Sequence, residues 1–364
     1  MMLPITVHTI KKSEPSTMKA ASIRIGAIIL ALAASSLFIL ILNLNPLDVY
    51  MKMVQGAFGT AYRCKETIVK AIPLVITSLG IAIAFRMQFW NIGGEGQIAI
   101  GAFAASYFAL YMNDMPKPVL LLVMMLAAMV AGGLWALIPA FFKAQWGTNE
   151  TIVTLMMNYI GIKWITFLQY GPWKDPKSLG FPKIANFPDN AILPEVLGVH
   201  IGWIIAIIFV VLVYVFLNHT KKGYEIAVIG ESINTARYAG INIKKTILIA
   251  IMLSGGLCGL VGMIQASAVN NTLSVEITGG VGYTAIITAY LAYLNAPVIM
   301  VVSVLFAALL EGGSYIQTVF GIPQSAAEIL QGIILFFVLG SEFFVRYKFV
   351  LSKRHRAELR KEVS

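Results

Sequence analysis

The chain has 364 residues, of which 58% are hydrophobic and 12% are charged, and its mean hydropathy is +0.80. Soluble globular domains of this length are far more polar, so the composition excludes a soluble enzyme and predicts an integral membrane protein. Basic residues that anchor membrane helices at the inner leaflet explain the net charge of +10, so no nucleic-acid partner is expected.

Apolar segments long enough to cross about 30 Å of hydrocarbon as helices recur along the whole chain. They predict an all-α integral membrane protein with about ten transmembrane helices in one domain, residues 22–346, between a tail at 1–21 and a basic tail at 347–364. No polar stretch is long enough for a nucleotide-binding or catalytic domain. The predicted spans are 22–43, 66–86, 92–112, 118–142, 150–170, 200–218, 246–268, 279–294, 296–314 and 325–346.

Lysine and arginine are distributed unevenly between the two sides that ten spans would define. The side that holds both termini carries 18 of the 27 basic residues, and the other side carries eight. Basic residues are enriched in cytoplasmic loops, so both termini are predicted to be cytoplasmic.

Two long loops follow from this orientation. The extracytoplasmic loop at 171–199 contains five prolines and several amides, and we expect it to be irregular and exposed. The cytoplasmic loop at 218–245 contains "ESINTARYAGI", with a capping residue at Ser232 or Asn234 and a terminating Gly240. This pattern predicts a short helix that lies on the membrane surface.

A short internal repeat links the third and eighth predicted spans. "GGEGQIAI" at 93–100 and "GGVGYTAI" at 279–286 share five of eight residues at an offset of 186. Because the two spans are five helices apart, they would cross the membrane in opposite directions, as in the inverted repeats of transporters. Broken or re-entrant helices are therefore predicted near both glycine clusters.

The stretch "NIGGEGQ" places Asn91, Glu95 and Gln97 in an otherwise apolar span. Its glycines on their own would favour close helix packing. An ionised carboxylate in hydrocarbon costs roughly 2.5 to 3.5 kcal/mol on insertion scales unless it is paired or hydrated. Glu95 is therefore predicted to face the bundle interior, a cavity or a cation, and the three side chains are candidates for a substrate pathway.

A second polar cluster, "TNETIVTLMMN", opens the fifth span. Asn149 is a good helix cap and Glu150 suits the first turn of a helix, so a purely structural role stays open for both beside a role in the pathway. Asn158 lies deeper and shares one helical face with Thr151 and Thr154, which favours a pathway or an interhelical contact.

Several motifs together resemble the permease subunits of ABC importers for nucleosides, a branch of the family that also serves ribose and other simple sugars. The motifs are "NPLDVYMKMVQGAFGT", "NIGGEGQIAIGAFAA", "GTNETIVTLMMNYI" and "GYEIAVIGESINTARYAGINIKK". The resemblance covers roughly residues 45–345 and implies a multi-pass permease of the bacterial plasma membrane that itself is not an enzyme.

The resemblance also implies partners and a coupling helix. The partners are a second related permease, a cytoplasmic ABC ATPase that uses the ATP, and an extracytoplasmic substrate-binding lipoprotein; no cofactor or metal is expected in this chain. "GESINTARYAGI" would dock on the ATPase, although Thr235 replaces the proline that is more usual there. Its implied contacts are Glu231, Asn234, Ala236, Arg237, Tyr238 and Gly240.

The expected function is thus passage of a nucleoside through an ATP-driven importer. Ribose or another simple sugar is the alternative cargo, and an ion-coupled secondary transporter or channel is the alternative of another class. The coupling-like loop and the shortage of paired intramembrane acids favour the importer. An intramembrane enzyme would need a convergent set of His, Ser or Asp residues that the sequence does not offer, and the two cysteines and four scattered histidines have no metal-ligand spacing.

Overall fold

The computed structural model describes residues 5–11, 17–112, 114–178 and 180–353. Helices dominate these residues, as expected for an all-α integral membrane protein, and eight of the described helices are long and apolar enough to cross a membrane. The helices are α1 (Thr17–Ile41), α2 (Pro46–Phe58), α3 (Ala61–Arg86), α4 (Gly94–Tyr111), α5 (Lys117–Trp146), α6 (Glu150–Tyr170), α7 (Gly202–His219), α8 (Lys221–Glu231), α9 (Ile233–Tyr238), α10 (Ile243–Ile264), α11 (Val281–Leu291), α12 (Ala296–Phe320) and α13 (Gln324–Arg346).

Each of the ten predicted spans overlaps a helix, and two of these helices are not among the eight long ones. The span predicted at 92–112 is α4, with 18 residues, and the span predicted at 279–294 is α11, with only 11 residues. Eleven residues extend about 16 Å as a helix, which is about half of a hydrocarbon core. α11 is thus five residues shorter than the predicted span at 279–294, beside whose glycine cluster a broken helix was predicted.

The chain divides into two compact units, residues 1–53 with 312–364 and residues 54–311. In the first unit, α1 packs against α13, and an Arg24 Nε to Glu342 Oε1 ion pair of 2.9 Å joins them. Strand β1 (Ile5–Lys11) pairs antiparallel with the strand Tyr347–Lys353, so two segments predicted as simple tails have regular structure. The other parts of those tails, 1–4, 12–16 and 354–364, lie outside the described residues.

The centre of the second unit is a close assembly of α4, α5 and α10. Glycines make it possible, because small residues allow the backbones of membrane helices to approach. A β-carbon on Gly101 of α4 would lie 2.3 Å from the Cα of Gly259 in α10. A β-carbon on Gly259 would lie 2.1 Å from the carbonyl oxygen of Ala128 in α5. Gly259 is thus the point at which all three helices meet.

Replacement of Gly259 by alanine should lower the thermal stability of the purified protein. The new methyl group would meet backbone atoms that cannot rotate away, and overpacking of this kind typically costs about 1 to 3 kcal/mol. Gly256, one turn earlier, is the matched control, because a β-carbon there would have its nearest neighbour at 3.2 Å, the Met129 carbonyl oxygen. Equal melting temperatures for Gly259→Ala and Gly256→Ala would contradict this account of the core.

The loop at 171–199 is irregular, as predicted, and residues 194–198 are exposed, but the expectation of exposure is wrong for four apolar side chains between 184 and 193. It contains one 3-10 turn, Asp189–Ala191, and a short hairpin of β2 (Glu195–Val196) and β3 (Val199–His200). Ile184, Phe187, Ala191 and Leu193 are buried. The amide N–H of Phe187 donates to the Asn271 carbonyl at 2.8 Å, so the loop is fixed to the segment that follows α10.

Candidate functional site

The chain reverses direction between α3 and α4. Helix α3 ends at Arg86, yet the first residue of α4, Gly94, packs beside Thr77, nine residues earlier on α3. Nine helical residues correspond to about 13 Å. The non-helical segment 87–93 therefore returns along α3, and Gly93 precedes the first turn of α4. The first glycine cluster thus lies where a helix begins after a non-helical segment, and a re-entrant course through the membrane stays a prediction.

A second reversal follows α10. This helix continues as a π-helical turn to Val269, and the non-helical segment 270–280 then leads back to α11. Gly279 and Gly280 have φ angles of +53° and +76°, which favour glycine. The chain enters α11 directly after this pair, and the second glycine cluster thus also precedes a short helix.

The two short helices begin against each other, and we call this meeting point the junction, formed by Gly94, Glu95, Gly282 and Tyr283. A β-carbon on Gly282 would lie 2.6 Å from the backbone nitrogen of Glu95, so only glycine allows this approach. Glu95 Oε1 accepts a hydrogen bond of 2.6 Å from the Gly282 N–H. The carboxylate also accepts from the Thr278 hydroxyl and the Tyr283 N–H, and only 2% of Glu95 is exposed. Glu95 therefore caps the start of α11 from the other half of the repeat.

Asn91 and Gln97 form a reciprocal pair of amides beside the junction. Gln97 Nε2 donates to Asn91 Oδ1 at 2.9 Å, and Asn91 Nδ2 donates to Gln97 Oε1 at 3.2 Å. Asn91 also donates to the Ser254 hydroxyl at 3.1 Å and accepts from the Gly93 N–H at 3.1 Å. Both amides are at most 1% exposed, so they hold the return segment between α4 and α10.

Asn158 binds the same segment from α6. Its Oδ1 accepts from the Gly96 N–H at 2.8 Å, and its Nδ2 donates to the Ile92 carbonyl at 2.8 Å. The same Nδ2 lies 3.4 Å from the Tyr283 hydroxyl. Asn158 thus satisfies backbone groups that the missing helical turns of segment 87–93 would leave free.

The other two predicted pathway residues lie at the start of α6. Asn149 is exposed and caps this helix by accepting from the Thr151 N–H at 3.0 Å, and no described contact joins it to the junction. Glu150 is buried and forms an ion pair of 2.7 Å with Lys143 of α5. The contacts of Asn149 are those of the structural reading that the sequence left open, whereas Glu150 also lies 3.5 Å from the Trp90 backbone nitrogen of segment 87–93.

Helices α8 and α9 form the predicted surface element within 218–245. Ser232 caps α9 by accepting from the Thr235 N–H at 3.2 Å, and Gly240, with φ of +71°, follows its end. Tyr238 is 94% exposed, and Glu231, Asn234, Arg237 and Gly240 are exposed as well. Ala236 is an exception, because it is fully buried. It supports α9 from within the chain, and its expected role as a surface contact was wrong.

The start of α8 is held to α10 by Glu225. This carboxylate accepts from Lys222 on its own helix and from the Thr246 hydroxyl at 2.9 Å. The hydrogen bond from Lys222 holds the pKa of the Glu225 carboxyl below its ordinary value, so the group is ionised at neutral pH.

The end of α8 touches the start of the return segment. A β-carbon on Gly230 would lie 2.1 Å from the Arg86 carbonyl oxygen and 3.2 Å from Met87 Cα. This backbone contact joins the α8–α9 pair to segment 87–93, which leads directly to the junction. A cavity of about 370 Å³ beside it is lined by residues of segment 87–93, α8, α9 and α10.

Sequence reasoning found five of the buried polar residues but missed their partners. Ser254, Thr278 and Tyr283 receive or donate the hydrogen bonds described above, and Ser78 of α3 bonds with Thr288 of α11. The repeat was a signal for Tyr283 alone, because Tyr283 lies inside "GGVGYTAI" and the other four residues lie outside both repeat segments.

Comparison with known families identifies one match along most of the chain. Residues 64–339 match a family described as the branched-chain amino acid transport system / permease component. The matched range includes both return segments, the junction, α8 and α9.

Two relatives match 88% of this chain, and a third matches 60%. A glucose ABC transporter permease of Haloferax volcanii is 32% identical over 334 residues, covering 88% of this chain and 87% of the relative. A guanosine ABC transporter permease of Bacillus subtilis is 30% identical over 332 residues, covering 88% and 93%. A second guanosine permease of Bacillus subtilis is 30% identical over 228 residues, covering 60% of this chain and 72% of the relative.

Proposed function

The chain belongs to the permease family of ABC importers, which are multi-pass proteins of the plasma membrane and not themselves enzymes, and from this premise we propose that it carries a nucleoside. The observation that supports a transport route is the junction, where the 11-residue helix α11 begins against the start of α4. Transporters place substrate sites at such discontinuous helices, near the middle of the membrane.

In the proposed topology the chain crosses the membrane with both termini in the cytoplasm, and α4 and α11 reach the junction from opposite sides. The charge distribution and the two return segments support this arrangement. Each half of the inverted repeat would consist of a long helix, a return segment and a short helix: α3, 87–93 and α4 in one, and α10, 270–280 and α11 in the other.

In this proposal, the buried polar residues at and beside the junction keep the route in place. Asn91, Glu95, Gln97 and Asn158 are at most 2% exposed and bonded to protein groups. They fix the non-helical backbone at membrane depth, which is tolerated only where protein or a water-filled cavity satisfies it. A small movement of segment 87–93 would therefore displace the starts of both short helices.

The proposed source of that movement is an ABC ATPase docked on α9. The residues exposed in and beside α9 are Glu231, Asn234, Arg237, Tyr238 and Gly240. The Gly230 contact joins α8 and α9 to segment 87–93. A substrate-binding lipoprotein would deliver the cargo on the other side. A second permease would complete the route, as two related guanosine permeases in one organism suggest.

A simple sugar is the second candidate cargo, favoured by the 32% identity to a glucose permease. Competition distinguishes the two candidates in vesicles that contain the complete importer. We expect unlabelled nucleosides in tenfold excess to abolish ATP-dependent uptake of radiolabelled guanosine, and glucose and ribose to leave it unchanged. ATP-dependent uptake of labelled glucose without guanosine uptake would assign the sugar instead.

A further inference from the structure

The exposed faces of the helices differ in a way that bears on the route. In the middle of α5, the exposed side chains are Leu122, Leu126, Val130 and Leu134, all aliphatic, as hydrocarbon requires. The middle of α6 exposes Tyr159, at 61%, and the start of α11 exposes Tyr283, at 42%. Tyrosines that face lipid collect at the membrane interfaces, where their hydroxyl groups meet water.

Tyr283 is the exposed member of the junction. Its backbone N–H binds Glu95, and its hydroxyl lies 3.4 Å from Asn158 Nδ2. Asn158 is fixed in turn by the Gly96 N–H and the Ile92 carbonyl. The backbone and the hydroxyl of Tyr283 therefore each contact a buried group, while 42% of the residue remains accessible.

We infer that Tyr283 contacts the cargo at the junction, an inference that rests on the proposed nucleoside transport. The face of a phenol ring stacks on the flat face of a nucleobase, and its hydroxyl can exchange hydrogen bonds with a base edge or a ribose hydroxyl. The buried residues Asn91, Glu95, Gln97 and Asn158 then position this ring and do not touch the cargo.

The kinetic test uses ATP-dependent guanosine uptake by proteoliposomes that contain the complete importer. Tyr283→Ala should raise the KM for guanosine at least tenfold, because it removes the stacking surface. Tyr283→Phe keeps that surface, and its KM should stay within about threefold of the unmodified value. Tyr214→Ala is the matched control, since Tyr214 is exposed by 38% on α7 and its ring packs against His219 of the same helix.

The outcomes separate the inference from the function on which it rests. Absence of ATP-dependent guanosine uptake by the unmodified importer would contradict the proposed function. Normal uptake by the unmodified importer, with an unchanged KM in Tyr283→Ala, would contradict the inference alone. A fall in assembled complex and Vmax at constant KM would also overturn it, because a merely structural residue behaves in that way.

Thiol labelling gives an independent readout. Tyr283→Cys is combined with Cys64→Ser, which leaves the buried Cys258 as the native thiol. A small charged methanethiosulfonate should label position 283 in the assembled importer, and saturating guanosine should slow this labelling at least fivefold. Absence of protection by guanosine would contradict the inference. A cross-link from position 283 to the second permease would show a protein interface there and would contradict it as well.

Discussion

Replacement of Glu95 by alanine should reduce ATP-dependent uptake at least tenfold and lower the melting temperature of the purified chain. The change removes the acceptor for the Gly282 and Tyr283 N–H groups and for the Thr278 hydroxyl. A buried donor left without a partner costs about 1 to 3 kcal/mol, and about 1.4 kcal/mol corresponds to a factor of ten. Glu95→Gln keeps one acceptor oxygen and should have an intermediate effect.

The same variants distinguish a positioning carboxylate from one that binds cargo. If Glu95 only holds α11, the KM of the remaining uptake stays unchanged. A normal melting temperature with a raised KM would mean that the carboxylate contacts the cargo. Glu328→Ala is the matched control, because Glu328 is exposed on α13 and bonds only to the neighbouring Gln324 side chain in the described contacts.

Replacement of Gly230 by alanine should also reduce uptake at least tenfold, for a different reason. The added methyl group would stand 2.1 Å from the Arg86 carbonyl oxygen, so α8 must move away from the end of α3. In the proposed mechanism this contact carries the motion of α9 to segment 87–93. The variant importer should therefore retain basal ATP hydrolysis and lose its stimulation by the loaded binding protein.

Gly332→Ala is the matched control for the addition of a methyl group to a glycine within a helix. Gly332 lies within α13, where a β-carbon would have no neighbour within 4 Å, so stimulation and uptake should stay unchanged. Stimulated ATP hydrolysis and normal uptake in Gly230→Ala would show that coupling does not pass through this contact. Loss of the ATPase subunit from the purified variant complex would show instead that Gly230 is needed for docking.

The sequence was sufficient for the long apolar helices and for the glycine clusters, because hydropathy and small residues are local properties of the chain. It did not predict the short helices α2 and α8. Long apolar runs indicated every span, and "GGEGQIAI" and "GGVGYTAI" indicated the starts of α4 and α11. The length of a helix was harder to predict. Helix α11 ends at Leu291, although the residues up to Leu294 are apolar too. Its end depends on the turn that follows, where Tyr293 and Leu294 have positive φ angles.

Contacts between distant residues could not be predicted from one sequence. Nothing near Glu95 indicates that its carboxylate binds a backbone 187 positions later, or that Asn91 meets Ser254. Burial was equally hidden at Ala236, because a small residue on a short surface helix suits both a partner and the chain itself. The loop at 171–199 was expected to be exposed from its prolines, yet the fold uses its carbonyl groups to hold Ser267 and Thr272.

The most direct measurement of the central claim is guanosine uptake by right-side-out vesicles or proteoliposomes, with and without ATP enclosed on the side of the ATPase. The importer account predicts cargo movement that requires ATP, stops on addition of orthovanadate, and continues when ionophores collapse the ion gradients. Uptake that needs no ATP, resists orthovanadate and disappears with the ion gradients would contradict it and assign the chain to the ion-coupled transporters.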